Sequence, residues 1–371
     1  MTTSPYAVTL AQVRRYRLLR SGLITPFATP EEAAAALGGV QAQILPAAGL
    51  ALWNRTAGFT HARYEELLFT RRTLVKLWGQ RNTLHLYPSA EWPLIYAALA
   101  AHQSWWGRMA ERENRVDAHE AIVEQAAALL RERQIIGRND LRAAGLELDN
   151  EHLSPWGGIF VDLVRRGYAC HAARAENEGM FAAREYWLPD LAWEPPDPDS
   201  ANLTLLRRFV HTYGPVTVND FMYWRGGYAG PARRWWELAA AELAAVELAG
   251  ETRYLLPADL DDLLHPADDL GAAVHMLYRF EPLLLGHKEK DWIVAPAHRK
   301  RVFRIAGHIE GIVLDGGAAV ATWRYERKAR GLIIAVEPFA PLPAHVTAAI
   351  ERQAVEIASF FDAPLLEISY R

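Results

Sequence analysis

The sequence predicts an α+β fold that is mainly helical and consists of winged-helix modules followed by a β-rich C-terminal region. Three observations support this prediction. Apolar residues recur with helical spacing through much of residues 8–243. The order of three helices and one hairpin occurs twice, and it is the order of a winged helix, a variant of the helix-turn-helix. Residues 275–337 alternate as short strands, and residues 343–361 have the pattern of one covering helix.

The N-terminal region predicts a looser first module. Thr29, Pro30 and the two acids after them form a helix start, because threonine caps a helix, proline fits its first turn and acids favour the positive end of the helix dipole. This helix should end at Gly38 and Gly39. The other predicted elements are helices at residues 8–23, 46–53 and 64–70 and a strand at residues 74–86.

Two clearer modules follow. In the first, the predicted helices are residues 119–133, 137–142 and 154–166, and the strands are residues 168–174 and 180–187 with a turn at 176–179. A proline-rich linker at residues 194–199 comes next. In the second module the predicted helices are residues 203–213, 217–224 and 231–243, and the strands are residues 246–248 and 253–256.

The C-terminal region predicts a small antiparallel sheet or partial barrel. Asp315, Gly316 and Gly317 signal a tight hairpin turn. The predicted strands are residues 275–285, 292–296, 301–305, 310–314, 318–325 and 331–337. These patterns divide the chain into winged-helix modules at 1–115, 116–193 and 200–265 and a β-rich region at 270–371.

Composition excludes several classes of protein. Cys170 is the single cysteine, so no intrachain disulfide can form, and we expect a reducing, cytoplasmic location. The N-terminus has no signal-peptide pattern and no uncharged run reaches membrane-spanning length, so we expect no membrane contact. The 13 histidines show no metal-ligand spacing, and no phosphate-binding glycine motif occurs. We therefore expect neither a metal nor a cofactor.

Charge is unevenly distributed along a chain whose formal net charge is −4. Acids concentrate between residues 242 and 269, whereas bases concentrate in residues 1–30 and 288–330. Separated basic zones are compatible with a nucleic-acid groove despite the negative total. The basic zones therefore supply candidate contacts to phosphate.

The most informative motif is Gln41-Ala42-Gln43, which follows Gly38 and Gly39. Side chains at i and i+2 of an extended segment project from the same face, so the two amides can hold one water molecule. An amide takes no proton at neutral pH, and such a pair suits a reaction that needs a positioned water more than a strong base. The alternative is that both glutamines only cap the preceding helix and satisfy nearby backbone groups.

A second motif contains Arg81 and His85. One interpretation is contact with phosphate; the other is that His85 is a histidine at the edge of the core with a backbone partner. Arg299, Lys300 and Arg301 form either a solvated basic turn or a phosphate contact. We expect Trp105, Trp106, Trp235 and Trp236 to fill the core, since aromatic pairs on helices usually do.

Several strings, in this order, resemble one known family. They are Gly39-Val40-Gln41-Ala42-Gln43 and the strings at residues 76–85, 213–221, 280–287, 299–303 and 320–323. The chain resembles the AlkZ and YcaQ-type winged-helix DNA glycosylases over nearly its whole length. Asn82 stands where the family pattern has glycine, and Glu281 stands where it has aspartate. The asparagine affects the local backbone conformation beside Arg81. The glutamate keeps the negative charge of aspartate but has a longer side chain.

The resemblance implies a C-shaped protein of three tandem winged helices that binds duplex DNA. It implies monofunctional excision of alkylated purines, above all N7-alkylguanine, and it makes Gln41 and Gln43 catalytic. Chains with glutamine at both positions resemble AlkZ, whose activity includes bulky adducts and antibiotic interstrand crosslinks; the other subclass has aspartate at the second position. We expect a monomer whose candidate DNA contacts are Arg55, Arg81, His85, Lys288, Arg299, Lys300, Arg301 and Arg324.

Two alternatives to this function remain open. A non-catalytic winged-helix regulator would bind DNA without releasing a base, but such regulators are usually shorter and present a basic recognition helix. The predicted helix at 154–166 has only Arg165 and Arg166, at its far end. A protein-interaction scaffold would fit if the basic zones did not face one groove.

Overall fold

The structure is a computed structural model that describes residues 6–99, 104–146, 148–150, 152–154, 157–175, 178–227, 229–265 and 274–371. The chain divides into two compact units. The first compact unit comprises Met1–Tyr64 and Leu203–Arg371, and the second comprises Glu65–Asn202. Residues 155 and 156 of the predicted third helix and residues 176 and 177 of the predicted turn lie outside the described residues.

The first compact unit combines helices with two sheets. The helices in its N-terminal part are Leu10–Arg20, Pro30–Ala36, Leu45–Trp53 and His61–Glu65, the last of which ends just beyond the unit. The helices in its C-terminal part are Pro198–Tyr213, which begins just before the unit, then Val218–Arg225, Ala229–Ala239, Leu260–Leu264, Pro282–Leu285, Arg299–Val302 and Ala344–Phe360. The short strand Val40–Gln41 follows the second helix.

The predicted winged-helix order of residues 203–256 is confirmed. Helices Pro198–Tyr213, Val218–Arg225 and Ala229–Ala239 precede the hairpin of Ala244–Leu248 and Glu251–Leu255. Thr217 caps the middle helix, since its hydroxyl accepts the Asp220 N–H while the Asp220 carboxylate accepts the Thr217 N–H. Strand Tyr6–Val8, which the sequence did not predict, pairs in parallel with Ala244–Leu248.

The C-terminal sheet has five strands and is open. Its order is Val274–Leu277, Gly311–Asp315, Ala318–Lys328, Gly331–Pro338 and Leu365–Tyr370. The first four pair antiparallel as expected, but the last pairs in parallel and was not predicted. Helix Ala344–Phe360 covers this sheet as predicted, and its Gln353 bonds both the N–H of Met276 and the C=O of Val274.

Two predicted strands in this region are wrong, and the strand predicted at residues 275–285 is correct only as far as Leu277. Residues 278–285 end in the helix Pro282–Leu285, residues 292–296 form turns, and Arg299–Val302 is helical. The physical reason is that short apolar runs fit a buried helix turn as well as a strand. Pro282 occupies the first turn of its helix, where its missing N–H costs nothing, and the Glu281 carboxylate accepts the Leu283 N–H.

The second compact unit contains the other winged-helix order. Its helices are Trp92–Leu99, Trp105–Arg112, Val116–Arg133, Arg138–Ala143, Phe160–Arg165 and Arg184–Trp187, with a π-helical turn at Glu66–Thr70. Five of its strands form one antiparallel array in the order Leu84–Pro88, Leu74–Trp78, Ala169–Ala175, Glu178–Ala183 and Ile135–Ile136. The predicted strand at 74–86 is thus a hairpin interrupted at Gln80–Asn82, and residues 184–187 are helical rather than extended.

Three of the four tryptophans expected in the core are at least partly buried. Trp235 and Trp236 are buried, with 4% and 9% of their surface exposed. Trp106 is half-buried, whereas Trp105 is 49% exposed and meets Trp106 edge to face. The expectation for Trp105 was therefore wrong, because adjacent side chains on a helix point in different directions and only the Trp106 ring of this pair turns toward the protein.

Candidate active site

The glutamine motif begins where a helix is forced to stop. Gly38 and Gly39 follow the helix Pro30–Ala36 with φ values of 65° and 101°, a region that favours glycine. Their N–H groups donate to the carbonyls of Ala35 and Ala34. The chain therefore reverses within two residues and enters the strand Val40–Gln41.

The two amides lie on the same side of the chain, as the spacing predicted, and they bond each other directly. The Gln41 side-chain NH₂ donates a hydrogen bond to the side-chain oxygen of Gln43. Gln41 is 6% exposed, whereas Gln43 lies on the surface. The pair therefore has a buried member, which fixes the orientation, and an exposed member, which can meet solvent or a ligand.

The helix end does not depend on the glutamines. The carbonyls of Ala33, Ala34 and Ala35 accept from the N–H groups of residues 37, 39 and 38 in turn. The carbonyl of Ala36 accepts the hydroxyl of Thr212, and that of Leu37 accepts the hydroxyl of Tyr213. Because these five acceptors have donors elsewhere, capping of these carbonyls does not explain the glutamine pair.

The residues after the motif hold it in place. Pro46 opens the helix Leu45–Trp53, and the Tyr64 hydroxyl donates to the Leu45 carbonyl at 2.9 Å. A Cβ on Gly49 would lie 3.1 Å from the Tyr64 ring and 3.2 Å from Phe360, so glycine permits this close packing. The glutamine pair is thus fixed at both ends by packed helices, as a preorganised site requires.

Arg55 is an internal residue. Its side chain is fully buried, forms an ion pair with Glu281 and donates to the carbonyls of Ser21 and Ala51 at 2.8 and 2.9 Å. A buried guanidinium with these partners cannot reach phosphate, so Arg55 is removed from the candidate DNA contacts. The glutamate at 281 keeps the negative charge that this arginine requires.

Arg81 lies in the second compact unit, at a turn with unusual backbone. Arg81 and Asn82 have φ values of 54° and 57°. Asparagine tolerates this left-handed region better than most residues, which explains how it can stand where the family pattern has glycine. Gly79 precedes the turn, and a Cβ there would lie 1.9 Å from the Tyr87 hydroxyl. That hydroxyl donates to the side-chain oxygen of Gln80.

His85 is buried and neutral. Burial first, and then the nearby Arg81 charge, lower its pKa to about 3, although the hydrogen bond to the Thr83 carbonyl acts to raise it. Nδ1–H donates to that carbonyl at 2.9 Å, and Nε2 accepts from the Arg81 guanidinium at 3.3 Å. The geometry matches the alternative interpretation, a histidine with a backbone partner. Because the neutral ring adds no positive charge beside Arg81, His85 can accept its hydrogen bond and orient the guanidinium without repelling it.

The pKa of His85 gives an expected pH dependence of stability. The pKa is about 3 in the folded protein against an ordinary value of 6.5, so the unfolded chain binds more protons between these values. The stabilisation is complete above pH 6.5 and is lost as the pH falls toward 3. His85→Gln should reduce the number of protons taken up on unfolding near pH 5 by about one. The change in the free energy of unfolding between pH 5 and pH 7, measured by urea titration, reports this number. His265→Gln, at an exposed position, is the control. If the free energy of unfolding changed equally with pH in both variants, the expectation would be contradicted.

The C-terminal basic residues differ in their surroundings. Lys288 and Lys300 are exposed. Arg299 forms ion pairs with Asp291 and Glu289, and Arg324 forms one with Glu337. Arg301 donates to the carbonyls of residues 337 and 338 and stacks on Phe339. The two lysines are therefore the least engaged of these cations.

Three of the four arginines in the N-terminal basic zone have partners within the protein. Arg17 is buried and donates to the carbonyls of residues 213, 214 and 215. Arg14 donates to the Trp292 carbonyl, and Arg20 pairs with Asp259 and Asp262. The expectation of an electropositive N-terminal surface was therefore wrong for these three residues. Amphipathic spacing had placed them on a polar face, but the partners that bury them come from distant segments.

Two classes of site were not found in the part of the chain that the structure describes. No group of three or more His, Cys, Asp or Glu side chains there is arranged to hold a metal ion. No helix within the described ranges is long and apolar enough to cross a membrane.

Comparison with known proteins assigns the chain to a family. A family model described as DNA glycosylase AlkZ-like matches residues 34–360. A Streptomyces sahachiroi protein named interstrand DNA cross-link repair glycosylase is 27% identical over 334 residues, which cover 87% of this chain and 88% of the relative. The solved structure of Streptomyces sahachiroi DNA glycosylase AlkZ matches with a TM-score of 0.82 at 25% identity, covering 98% of this chain and 100% of that one. The chain therefore belongs to the AlkZ-like DNA glycosylases, enzymes that act on the N-glycosyl bonds of DNA.

Proposed function

We propose that this glycosylase excises N7-alkylated purines from duplex DNA as a monomer, through a water molecule positioned by Gln41 and Gln43. The observation that carries the proposal is the hydrogen-bonded amide pair, with Gln41 buried and Gln43 exposed. No cofactor is needed for this reaction. Its natural role is repair of alkylation damage or self-resistance to an alkylating antibiotic.

The chemistry of the lesion explains why amides suffice. An N7-alkylated guanine carries a positive charge, so its bond to the sugar is already weakened and the base leaves without being protonated. Departure gives an oxocarbenium-like sugar, which water attacks at the anomeric carbon. The enzyme must place that water, and a fixed reactant lowers the barrier by avoiding the entropy of bringing it in.

The two amides divide this task. Gln41 donates to Gln43 and fixes the position of the exposed amide. The Gln43 oxygen has a second lone pair, which can accept a hydrogen bond from water and so orient the water lone pair toward the sugar. The motif contains no lysine and thus no amine for a Schiff base, so the product is an intact abasic site.

The exposure of Gln43 favours a broad range of lesions. A bulky or crosslinked base cannot enter a narrow pocket, which is where many enzymes place a flipped base. A surface amide can instead reach the sugar while the modified base remains outside the protein. We therefore propose that bulky N7 adducts and interstrand crosslinks are substrates, in line with the name of the Streptomyces relative.

Phosphate contacts come from the exposed cations. We propose Lys288 and Lys300, with Arg81 oriented by His85, as the principal contacts. Arg299, Arg301 and Arg324 are secondary, because a phosphate would compete with their protein partners. Contacts of this kind fix the position of the duplex without reading its sequence.

Lys288→Ala/Lys300→Ala should weaken DNA binding equally for all sequences. Each lost phosphate contact should reduce the slope of log K against log salt by about 0.9. Fluorescence anisotropy between low and moderate salt measures this slope. Arg207→Ala removes the same charge beside Glu242 and serves as the control. A double variant with the wild-type slope would exclude both lysines from the interface.

Release of free base is the test of the proposed function. The protein is incubated with duplex DNA that contains N7-methylguanine, and released base and abasic sites are both measured. Equal amounts of free 7-methylguanine and intact abasic sites are expected. DNA binding without release of the nucleobase would favour the winged-helix regulator. Strand cleavage without added alkali would show a lyase instead.

A further inference from the structure

One apolar side chain projects from a basic loop of the first compact unit. Ile305 is 95% exposed, against 58% for Val355, the next most exposed of the large apolar side chains in the described residues. Isolated exposed apolar residues are common, but one that is almost entirely surrounded by solvent contributes little to folding. The exposure of Ile305 therefore needs an explanation other than a contribution to folding.

The loop that carries Ile305 has a fixed base. Phe303 and Ile309 form an antiparallel bridge, and the N–H of Arg304 donates to the His308 carbonyl at 2.8 Å. Below the bridge, Val302 is fully buried and the Glu310 N–H donates to its carbonyl at 2.9 Å. The turn Ile305–Gly307 thus projects from a hairpin-like support that is tied to the core.

The tip itself is sterically open. Gly307 has a φ of 75°, and a Cβ built there would meet nothing within 4 Å. The glycine is required by the backbone conformation and not by packing. Ile305 therefore projects from a narrow turn rather than from a broad surface, which is the shape needed to enter a groove.

The charges around the tip favour a polyanion. Arg304 is 47% exposed, and Lys300 and His308 are also at the surface. The nearby acid, Glu310, lies 3.3 Å from Arg279 as well as 3.7 Å from Arg304, so two arginines share one carboxylate. The segment keeps a net positive charge around an apolar tip.

We propose that Ile305 is a wedge that inserts into a base step of the bound duplex, with Lys300 and Arg304 contacting the adjacent phosphates. Isoleucine is among the side chains that proteins insert between base pairs from the minor groove, which unstacks the step and bends the duplex. Unstacking beside a lesion would open the sugar to attack without a deep base pocket. This role goes beyond the proposed water-positioning chemistry and rests only on duplex binding.

The test uses 2-aminopurine, whose fluorescence rises when it unstacks. The fluorophore is placed in turn at each position flanking a tetrahydrofuran abasic analogue in a duplex. Wild-type protein should raise the fluorescence several-fold at one position. Ile305→Ser should abolish that rise and weaken binding about tenfold, whereas Ile305→Leu, which keeps the apolar bulk, should retain both. The tenfold loss corresponds to about 1.4 kcal/mol, close to the lower end of the free energy of burying one large aliphatic side chain.

The controls separate this inference from the proposed function. Val355→Ser alters an exposed aliphatic residue on helix Ala344–Phe360 and should behave like the wild type. Gln43→Ala should retain the fluorescence rise although it releases no base, so the two proposals fail independently. The wedge is contradicted if Ile305→Ser matches Val355→Ser, or if wild-type protein raises fluorescence at no flanking position.

Discussion

Replacing Gln43 by alanine is expected to abolish release of 7-methylguanine while leaving DNA affinity within about twofold of the wild type. The exposed amide contributes to the reaction by holding water, and a misplaced reactant alone costs about 100-fold in rate. We therefore expect the single-turnover rate constant to fall by at least about 100-fold. Affinity should persist because a neutral surface amide contributes little to binding a polyanion.

Two further variants sharpen this result. Gln43→Asp keeps an oxygen that can accept from both Gln41 and water, so it should retain excision well above the alanine variant. Gln125→Ala removes an exposed glutamine from helix Val116–Arg133 and should leave the rate unchanged. Near-normal excision by Gln43→Ala would remove this residue from the mechanism.

The second large effect is on stability. Arg55→Met should destabilise the protein by about 3–5 kcal/mol, because it leaves Glu281 as a buried charge without its partner. The carbonyls of Ser21 and Ala51 lose a donor in the same substitution. The loss should appear as a lower midpoint of urea-induced unfolding with little change of slope.

A second substitution should recover much of this loss. In Arg55→Met/Glu281→Gln the uncompensated charge is gone, while an oxygen remains to accept the Leu283 N–H. Arg324→Met removes one partner of an exposed ion pair and should cost less than about 1 kcal/mol. Equal midpoints for Arg55→Met and Arg324→Met would show that burial of the Arg55–Glu281 pair contributes nothing.

Local signals predicted much of the fold. Thr29 and Thr217 mark helix starts, Gly38 and Gly39 mark a helix end, and the hairpin at 244–255 follows the expected order. What could not be predicted depends on distant partners. Strands Tyr6–Val8 and Leu365–Tyr370 are extended because they pair in parallel with remote strands, and no turn or alternation beside them signals this.

The candidate site shows the same difference between features set by local sequence and features set by distant partners. The i, i+2 spacing was enough to predict that Gln41 and Gln43 lie on the same face, because that geometry is local, but not that the two amides bond each other directly. Charge alone did not distinguish Arg55, which is buried against Glu281, from Lys300, which is exposed. Nor did it indicate Ile305, since an isoleucine in a short mixed segment has the pattern of a core residue until its exposure is measured.

The coupling between the two glutamines tests the central claim most directly. Single-turnover excision of 7-methylguanine is measured for Gln41→Ala, Gln43→Ala and the double variant. If the hydrogen-bonded pair acts as one unit that positions water, removing both amides should cost little more than removing one. The rate constant of the double variant should then lie within about threefold of that of the slower single variant. Rate losses that multiply, or any single variant with wild-type excision, would contradict a shared water held by both amides.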